Sequence, residues 1–249
     1  MASGFAPGDK VFVPVSRLSG LENHPSAFYK TKIVEVGVRK AKVSLPQGAI
    51  SEWIGTGLCH KNIGILIFSI GDFETEPTLL EPLTKSVVQY CRLLVSDDYL
   101  RAVRVRSLAE VTQVWCLEHG AYSHVILIGH GSPSGIKFAV DGWVGQAALG
   151  DAFRVEDGHG RIILSLCCKT GYKTIGGKLS EGDAFSHFIG PFHSVHGAIA
   201  SQFAQTFLAF HFLVGQSVGV AFKHARSYTP GSTSFRLWQN GRLKAGPKS

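Results

Sequence analysis

Three short apolar segments constrain the fold more than any other feature of this sequence. They span residues 63–70, 125–128 and 161–166, and polar or glycine-containing segments separate them. An apolar run of this length without alternation is typical of a strand buried on both faces, as in a parallel sheet covered by helices. We therefore expect three buried strands.

The segments between these strands have helical patterns. Apolar residues recur at helical spacing over 79–95, and Ser107 followed by Glu110 forms a capping-box pattern for a second helix. This alternation predicts an α/β fold with a mainly parallel sheet flanked by helices. The further predicted elements are strands over 101–106, 188–195 and 234–239, a hairpin over 135–144 that turns at Asp141 and Gly142, and helices over 198–214 and 216–227.

Residues 1–61 have a different pattern, with short strands predicted over 10–15, 30–38, 41–45 and 50–54. This pattern resembles a small SH3- or Tudor-like β-barrel, so we expect a barrel domain at 1–61 and a second domain at 62–249. The first segment holds eight Lys or Arg residues against four acidic ones. We interpret it as a docking or regulatory domain for a partner protein.

Composition narrows the class of protein. The 249 residues are 45% hydrophobic and 17% charged, which excludes a disordered chain. The net charge of +7 is too small to predict nucleic-acid binding by itself. The five cysteines are an odd number and no signal peptide precedes them, which favours a reducing, cytoplasmic setting.

One apolar stretch, residues 198–222, is long enough to span a bilayer. It contains Ser201, Gln202, Gln205 and His211, and Gly215 interrupts it. Polar groups at this density are costly in lipid, so we expect two consecutive buried helices rather than a membrane span.

Two predicted strands end in residues that can carry chemistry. His130 and Gly131 follow the strand at 125–128, and Cys167 and Cys168 follow the strand at 161–166. The carboxyl ends of parallel strands meet at one edge of a sheet, where sites form. A thiolate needs a base or cation nearby, and His130 supplies one. The backbone N–H groups of Gly131 and the cysteine could then hold an oxyanion.

The pairing of Gly129-His130-Gly131 with Cys168-Lys169-Thr170-Gly171, each after an apolar strand, resembles the caspase-like (clan CD) cysteine peptidases. The segments GHGSPSGIKFAVDGW and SFRLWQNGRL are similar to those of bacterial, CHAT-type members. The resemblance covers about residues 62–245 in element order, although the caspase signature Gln-Ala-Cys-x-Gly is absent. It implies that His130 is the general acid and base and that no cofactor is needed.

The same resemblance favours Cys168 as the nucleophile, while the alternative frame of Ser165-Leu166-Cys167 selects Cys167. Side chains alternate along a strand, so only one of the two thiols can face His130. Many members of this group that cut after Lys or Arg carry an acidic residue two positions before the nucleophile, where this chain has Leu166. We expect substrate contacts from Leu166, Glu181 and Asp183.

Other candidates are assigned structural roles. We interpret Asp141 as a turn residue, and Cys59, Cys91 and Cys116 as core thiols. The histidines at 187, 193 and 196 do not have the spacing of a zinc site, so no metal is predicted. The glycine-rich segment 171–177 lacks the P-loop pattern and is expected to be a mobile loop beside the cleft.

These predictions and the resemblance together indicate an intracellular cysteine endopeptidase that uses a Cys–His dyad to cleave a specific protein partner. The bacterial relatives imply a role in anti-phage defence or programmed cell death. Two alternatives stay open: a catalytically degenerate caspase-fold binding or scaffold protein, and a nucleic-acid-associated module that acts through the basic barrel.

Overall fold

A computed structural model describes residues 5–155 and 160–248 of the chain. The strands are β1 Lys10–Pro14, β2 Phe28–Gly37, β3 Lys40–Val43, β4 Ile54–Gly55, β5 Gly64–Ile70, β6 Leu100–Val105, β7 Tyr122–Ile128, β8 His130–Ser132, β9 Gly135–Phe138, β10 Gly142–Gly145, β11 Arg161–Ser165, β12 Phe185–Pro191, β13 Phe235–Gln239 and β14 Arg242–Ala245. The α-helices are α1 Glu81–Leu94, α2 Leu108–Glu118, α3 Gln146–Ala152, α4 Gly197–Leu208 and α5 Val218–Tyr228.

A seven-stranded sheet forms the centre of the molecule, in the order β14-β13-β12-β11-β7-β5-β6. The five strands from β12 to β6 are parallel, and β13 and β14 add to one edge in antiparallel orientation. The prediction of a mainly parallel α/β sheet flanked by helices is confirmed. The hairpin of β9 and β10 extends with β8 into a separate three-stranded sheet.

Burial on both faces explains why β5 lacks an alternating pattern, since all seven of its residues are buried. Ile65 and Ile67 face the core formed with α1, α4 and α5. Leu66 and Phe68 face a second core, to which α2 and α3 contribute Trp115 and other residues. The two faces of one strand therefore hold two layers of helices against the sheet.

The apolar stretch at 198–222 divides into two helices, as predicted. α4 ends in a wider helical turn over Ala209–Leu213, and Gly215 then adopts a left-handed φ of +66° before α5 begins. Among the described residues, no helix is long and apolar enough to cross a membrane.

The first strands form an antiparallel sheet in the order β1-β2-β3-β4, with a core of their own that includes Val11, Val13, Ile33 and Val43. The prediction of a strand over 50–54 is wrong in extent. Only Ile54 belongs to β4, and Ile50 makes an isolated bridge with Ser44. The barrel classification and the boundary at residue 61 stay predictions.

This small sheet also packs into the main core. Phe12, Ala27 and Phe28 belong to the apolar cluster that covers the central sheet, and the rings of Phe28 and Phe212 meet edge to face at 5.0 Å. The Ala27 N–H donates to the carbonyl of Leu94 at 3.2 Å. Removing the small sheet would expose apolar core, so it contributes to the stability of the rest.

We therefore expect Phe28→Ala to lower the free energy of unfolding by about 3–5 kcal/mol, because it leaves a cavity between the two sheets. Val38→Ala, at a side chain that is 89% exposed, is the matched control and should change it by less than about 0.5 kcal/mol. Urea denaturation followed by tryptophan fluorescence measures both. Equal stability of the two variants would show that the small sheet does not support the main core.

Candidate active site

The ends of β7 and β11 lie side by side because these strands are parallel neighbours, with Leu127 paired to Ser165. The residues after each strand therefore share one edge of the sheet. Gly131 fits tightly there: a Cβ at this position would lie 2.3 Å from the carbonyl oxygen of Cys168 and 3.0 Å from the Cβ of Cys167. The His130 strand end and the cysteine pair are thus in van der Waals contact, and the contact requires glycine.

The two adjacent cysteines have opposite environments. Cys167 is completely buried, its Sγ lies 3.7 Å from the carbonyl oxygen of Leu127, and burial raises its thiol pKa to about 12. Cys168 is partly exposed, and its Sγ donates to the carbonyl of Val195 at 3.7 Å.

A tight turn after β11 fixes the cysteine backbone. The Thr170 hydroxyl donates to the carbonyl of Cys167 at 2.8 Å and contacts the Ser165 hydroxyl, also at 2.8 Å. Lys169 adopts a left-handed φ of +60°, and the Gly171 N–H donates to the carbonyl of Pro191. These bonds tie Cys168 to both β11 and β12.

His130 has partners that the sequence prediction missed. Its Nε2 lies 2.5 Å from the Thr75 hydroxyl and 3.4 Å from an Asp72 carboxylate oxygen. The Thr75 hydroxyl donates to Asp72 at 2.9 Å, so it accepts the Nε2 proton of His130. The other ring nitrogen, Nδ1, then carries a lone pair, and none of the described residues donates a hydrogen bond to it. Asp72 follows β5, and the strand-end rule that found His130 and Cys168 would have found it too.

Asp72 is nearly buried and remains ionised. Its pKa is lowered mainly by the backbone N–H of Thr75, which donates to it at 2.7 Å, with further contributions from Thr75, Glu74 and His130. Lys137, opposite His130 in the β8–β9 pairing, places its ammonium group 4.0 Å from the carboxylate.

None of the predicted substrate residues presents its side chain at this edge. Leu166 is buried in the core beneath the sheet and is 3% exposed. Glu181 pairs with Lys178 and packs against Gly241, and Asp183 precedes β12. Glu181 and Asp183 thus lie at the amino-terminal ends of β11 and β12, opposite Cys168. The side chain of Asp141 accepts from the Leu108 N–H at 2.6 Å and fixes the start of α2, consistent with a structural role.

The other three cysteines differ in their exposure to solvent. Cys59 and Cys91 are buried, but Cys116 is exposed, so its assignment as a core thiol is wrong. No group of three or more His, Cys, Asp or Glu side chains among the described residues could hold a metal ion. The segment expected to be a mobile loop is packed instead: Ile175 is fully buried, and Gly176 lies against Phe188 and Trp238.

Comparison with known proteins adds little to this geometry. No protein-family model matches the chain, and no curated protein matches it. Among solved structures, the structure of pro-sf-caspase-1 is similar with a TM-score of 0.40 and 11% identity, over 60% of this chain and 72% of that chain. A similarity of this size does not define a family, so the proposal below rests on the topology and the site of this chain.

The two cysteine environments predict selective alkylation. With a pKa of about 12, only about one Cys167 thiol in ten thousand is ionised at pH 8, and burial also blocks access. We expect iodoacetamide to label Cys168 and the exposed Cys116 in the folded protein and to leave Cys167 unlabelled, as mapped by peptide mass spectrometry. All five cysteines should react in denaturant. Labelling of Cys167 before Cys168 in the folded chain would contradict this assignment.

Proposed function

We propose that this chain is a cysteine endopeptidase in which Cys168 is the nucleophile and His130 is the general acid and base. One observation carries the proposal: the close packing of Gly131 on Cys168 brings the His130 strand end to a partly exposed thiol. The buried neighbour Cys167 is not available for the same role. A histidine beside an accessible thiol is the minimum requirement for thiol-based acyl transfer.

In the proposed mechanism, the Nδ1 lone pair of His130 accepts the Cys168 proton as Sγ attacks the scissile carbonyl carbon. The protonated imidazole then donates this proton to the leaving amine, and water hydrolyses the thioester in a second step with the same acid and base. Asp72 and Thr75 hold Nε2 and keep the proton on that nitrogen. They are positioning residues, since they act through His130.

The developing oxyanion would be held by the backbone N–H groups of Gly131 and Cys168. Both residues belong to the close contact described above, so their backbone would be held in place before the substrate arrives. The proposed substrates are proteins or peptides. Because Glu181 and Asp183 lie at the opposite edge and the Leu166 side chain is buried in the core, these residues are not part of the proposed substrate contacts.

The proposed enzyme works in a reducing, cytoplasmic compartment. All five cysteines are free thiols, which supports a reducing, cytoplasmic compartment. The small N-terminal sheet would add a regulatory partner surface, and the resemblance alone suggests anti-phage defence or programmed cell death.

Replacement of each cysteine separately tests the nucleophile. We expect Cys168→Ala to abolish cleavage of a peptide library, because the attacking sulfur is lost, and Cys167→Ala to retain it with some loss of stability. Cleavage products identified by mass spectrometry provide the measurement. Activity lost only in Cys167→Ala would reverse the assignment, and no cleavage by the wild type on any substrate would favour a binding or scaffold protein with this fold.

Replacement of Asp72 tests the positioning role. Asp72→Asn keeps an acceptor for the Thr75 N–H but removes the charge beside His130. We expect kcat to fall by about ten- to a hundredfold with KM little changed, which is less than the effect of losing a general acid–base. Asp97→Asn, at an exposed carboxylate paired with Arg92, is the matched control and should leave kcat unchanged. A pure rise in KM in Asp72→Asn would assign Asp72 to substrate binding instead.

A further inference from the structure

One face of the small N-terminal sheet is rich in lysines. Alternate residues of its strands, among them Val11, Ile33 and Val43, pack into the apolar core of that sheet. The residues between them point to the opposite face, because side chains alternate along a strand. Five lysines lie there and define what we call the lysine face: Lys10, Lys30, Lys32, Lys40 and Lys42. At one end of this face, Phe12 packs into the main core, and the Lys30 ammonium lies 5.6 Å from the centre of its ring.

The positive charge of the lysine face is largely unbalanced. Lys10 and Lys32 stand directly opposite each other in the pairing of β1 with β2, and like charges in this arrangement destabilise a sheet. Lys42 forms an ion pair with Glu35 at 3.0 Å. Within residues 5–155 and 160–248, none of the other four lysines has a carboxylate partner. The face therefore favours an anionic partner, which would relieve the repulsion.

Trp53, just before β4, adds an aromatic side chain to the lysine face. It is 37% exposed, and its ring centre lies 4.4 Å from the Lys40 ammonium and 4.6 Å from the Lys42 ammonium. The ring lies across β2, where a Cβ at Gly37 would be 3.2 Å from it. An exposed contact between an ammonium and a ring is weaker than the stacking of a nucleobase on an aromatic side chain. A base can therefore replace an ammonium over the ring and leave that ammonium for a phosphate.

The composition of the lysine face favours a nucleic acid over an acidic protein. Interfaces between proteins are depleted in lysine, whereas lysines are regular contacts of nucleic-acid phosphates. An accessible tryptophan favours a single strand, because the bases of a duplex are already stacked on one another. Sheet surfaces that combine cations with aromatic side chains bind single strands in this way.

We propose that the lysine face binds single-stranded nucleic acid, with phosphates on its lysines and a base stacked on Trp53. Neither contact identifies the base, so binding is expected to be largely independent of sequence. Neither contact identifies the sugar, so RNA and DNA strands are both ligands. The site goes beyond the proposed peptidase activity and does not depend on it.

Fluorescence anisotropy of the full chain tests the proposal, with labelled oligothymidine and oligouridine strands of about 20 nucleotides, a DNA duplex and a labelled polyglutamate as probes. We expect both single strands to bind more tightly than the duplex and polyglutamate. Four or five lysine contacts predict a slope of about −3 when log affinity is plotted against log salt concentration. Cys168→Ala should bind equally well, which separates this result from the fate of the peptidase proposal.

Two pairs of variants locate the binding surface. Trp53→Ala should weaken oligothymidine binding by about tenfold with the salt slope unchanged, and Trp53→Phe should retain most of the affinity. Trp143→Ala, at a 56% exposed tryptophan on β10, is the control and should bind normally. Lys32→Gln should weaken binding and make the salt slope shallower by about 0.7, whereas Lys85→Gln, at an exposed lysine on α1, should change neither.

Three results would each overturn the proposal. The first is tighter binding of the duplex than of the single strands. The second is binding of polyglutamate without binding of either strand, which would assign the lysine face to an acidic protein. The third is equal affinity of Trp53→Ala and Trp143→Ala together with equal salt slopes of Lys32→Gln and Lys85→Gln.

Discussion

Gly131 lies so close to the backbone of Cys168 that no side chain fits between them, and the candidate active site depends on this contact. The contact follows from the parallel pairing of β7 and β11, which ends both strands at the same level. The strand ends that carry His130 and Cys168, which are 38 positions apart in the sequence, therefore lie at one edge of the sheet. A larger residue at position 131 would separate the strand end that carries His130 from the Cys168 thiol, even if the rest of the sheet kept its structure.

Burial, rather than residue type, distinguishes the two adjacent cysteines. Cys167 belongs to the core on one face of the sheet, where desolvation disfavours the thiolate. Cys168 is one position later, beyond the end of β11, and reaches solvent. The same distinction applies to Asp72, since hydrogen bonds from the following turn compensate for its burial and keep it ionised beside His130. Local backbone geometry thus determines which groups at this edge are exposed and which are ionised.

The sequence was sufficient to predict the features that depend on local pattern and on strand order. Continuous apolar runs identified β5, β7 and β11, and the strand-end rule located His130 and Cys168. The same rule was not applied to β5, so Asp72 and Thr75 were missed. Glu181 was misassigned because its position depends on how the segment before β12 packs against the turn at Gly241, a tertiary contact with no local signature. The exposure of Cys116 also depends on packing, since α2 turns that side chain away from the core.

The central strands β5, β7 and β11 are buried almost throughout, so polar clusters lie at the two ends of the sheet. These two ends differ in one physical respect. At the carboxyl end, Asp72, Thr75 and His130 are hydrogen-bonded to one another, so the group is stable without a ligand. At the amino end, His124 and His211 each have a buried Nε2 atom that has no hydrogen-bond partner within residues 5–155 and 160–248. Packing alone would favour apolar residues at those two positions, because an unpaired buried acceptor is destabilising.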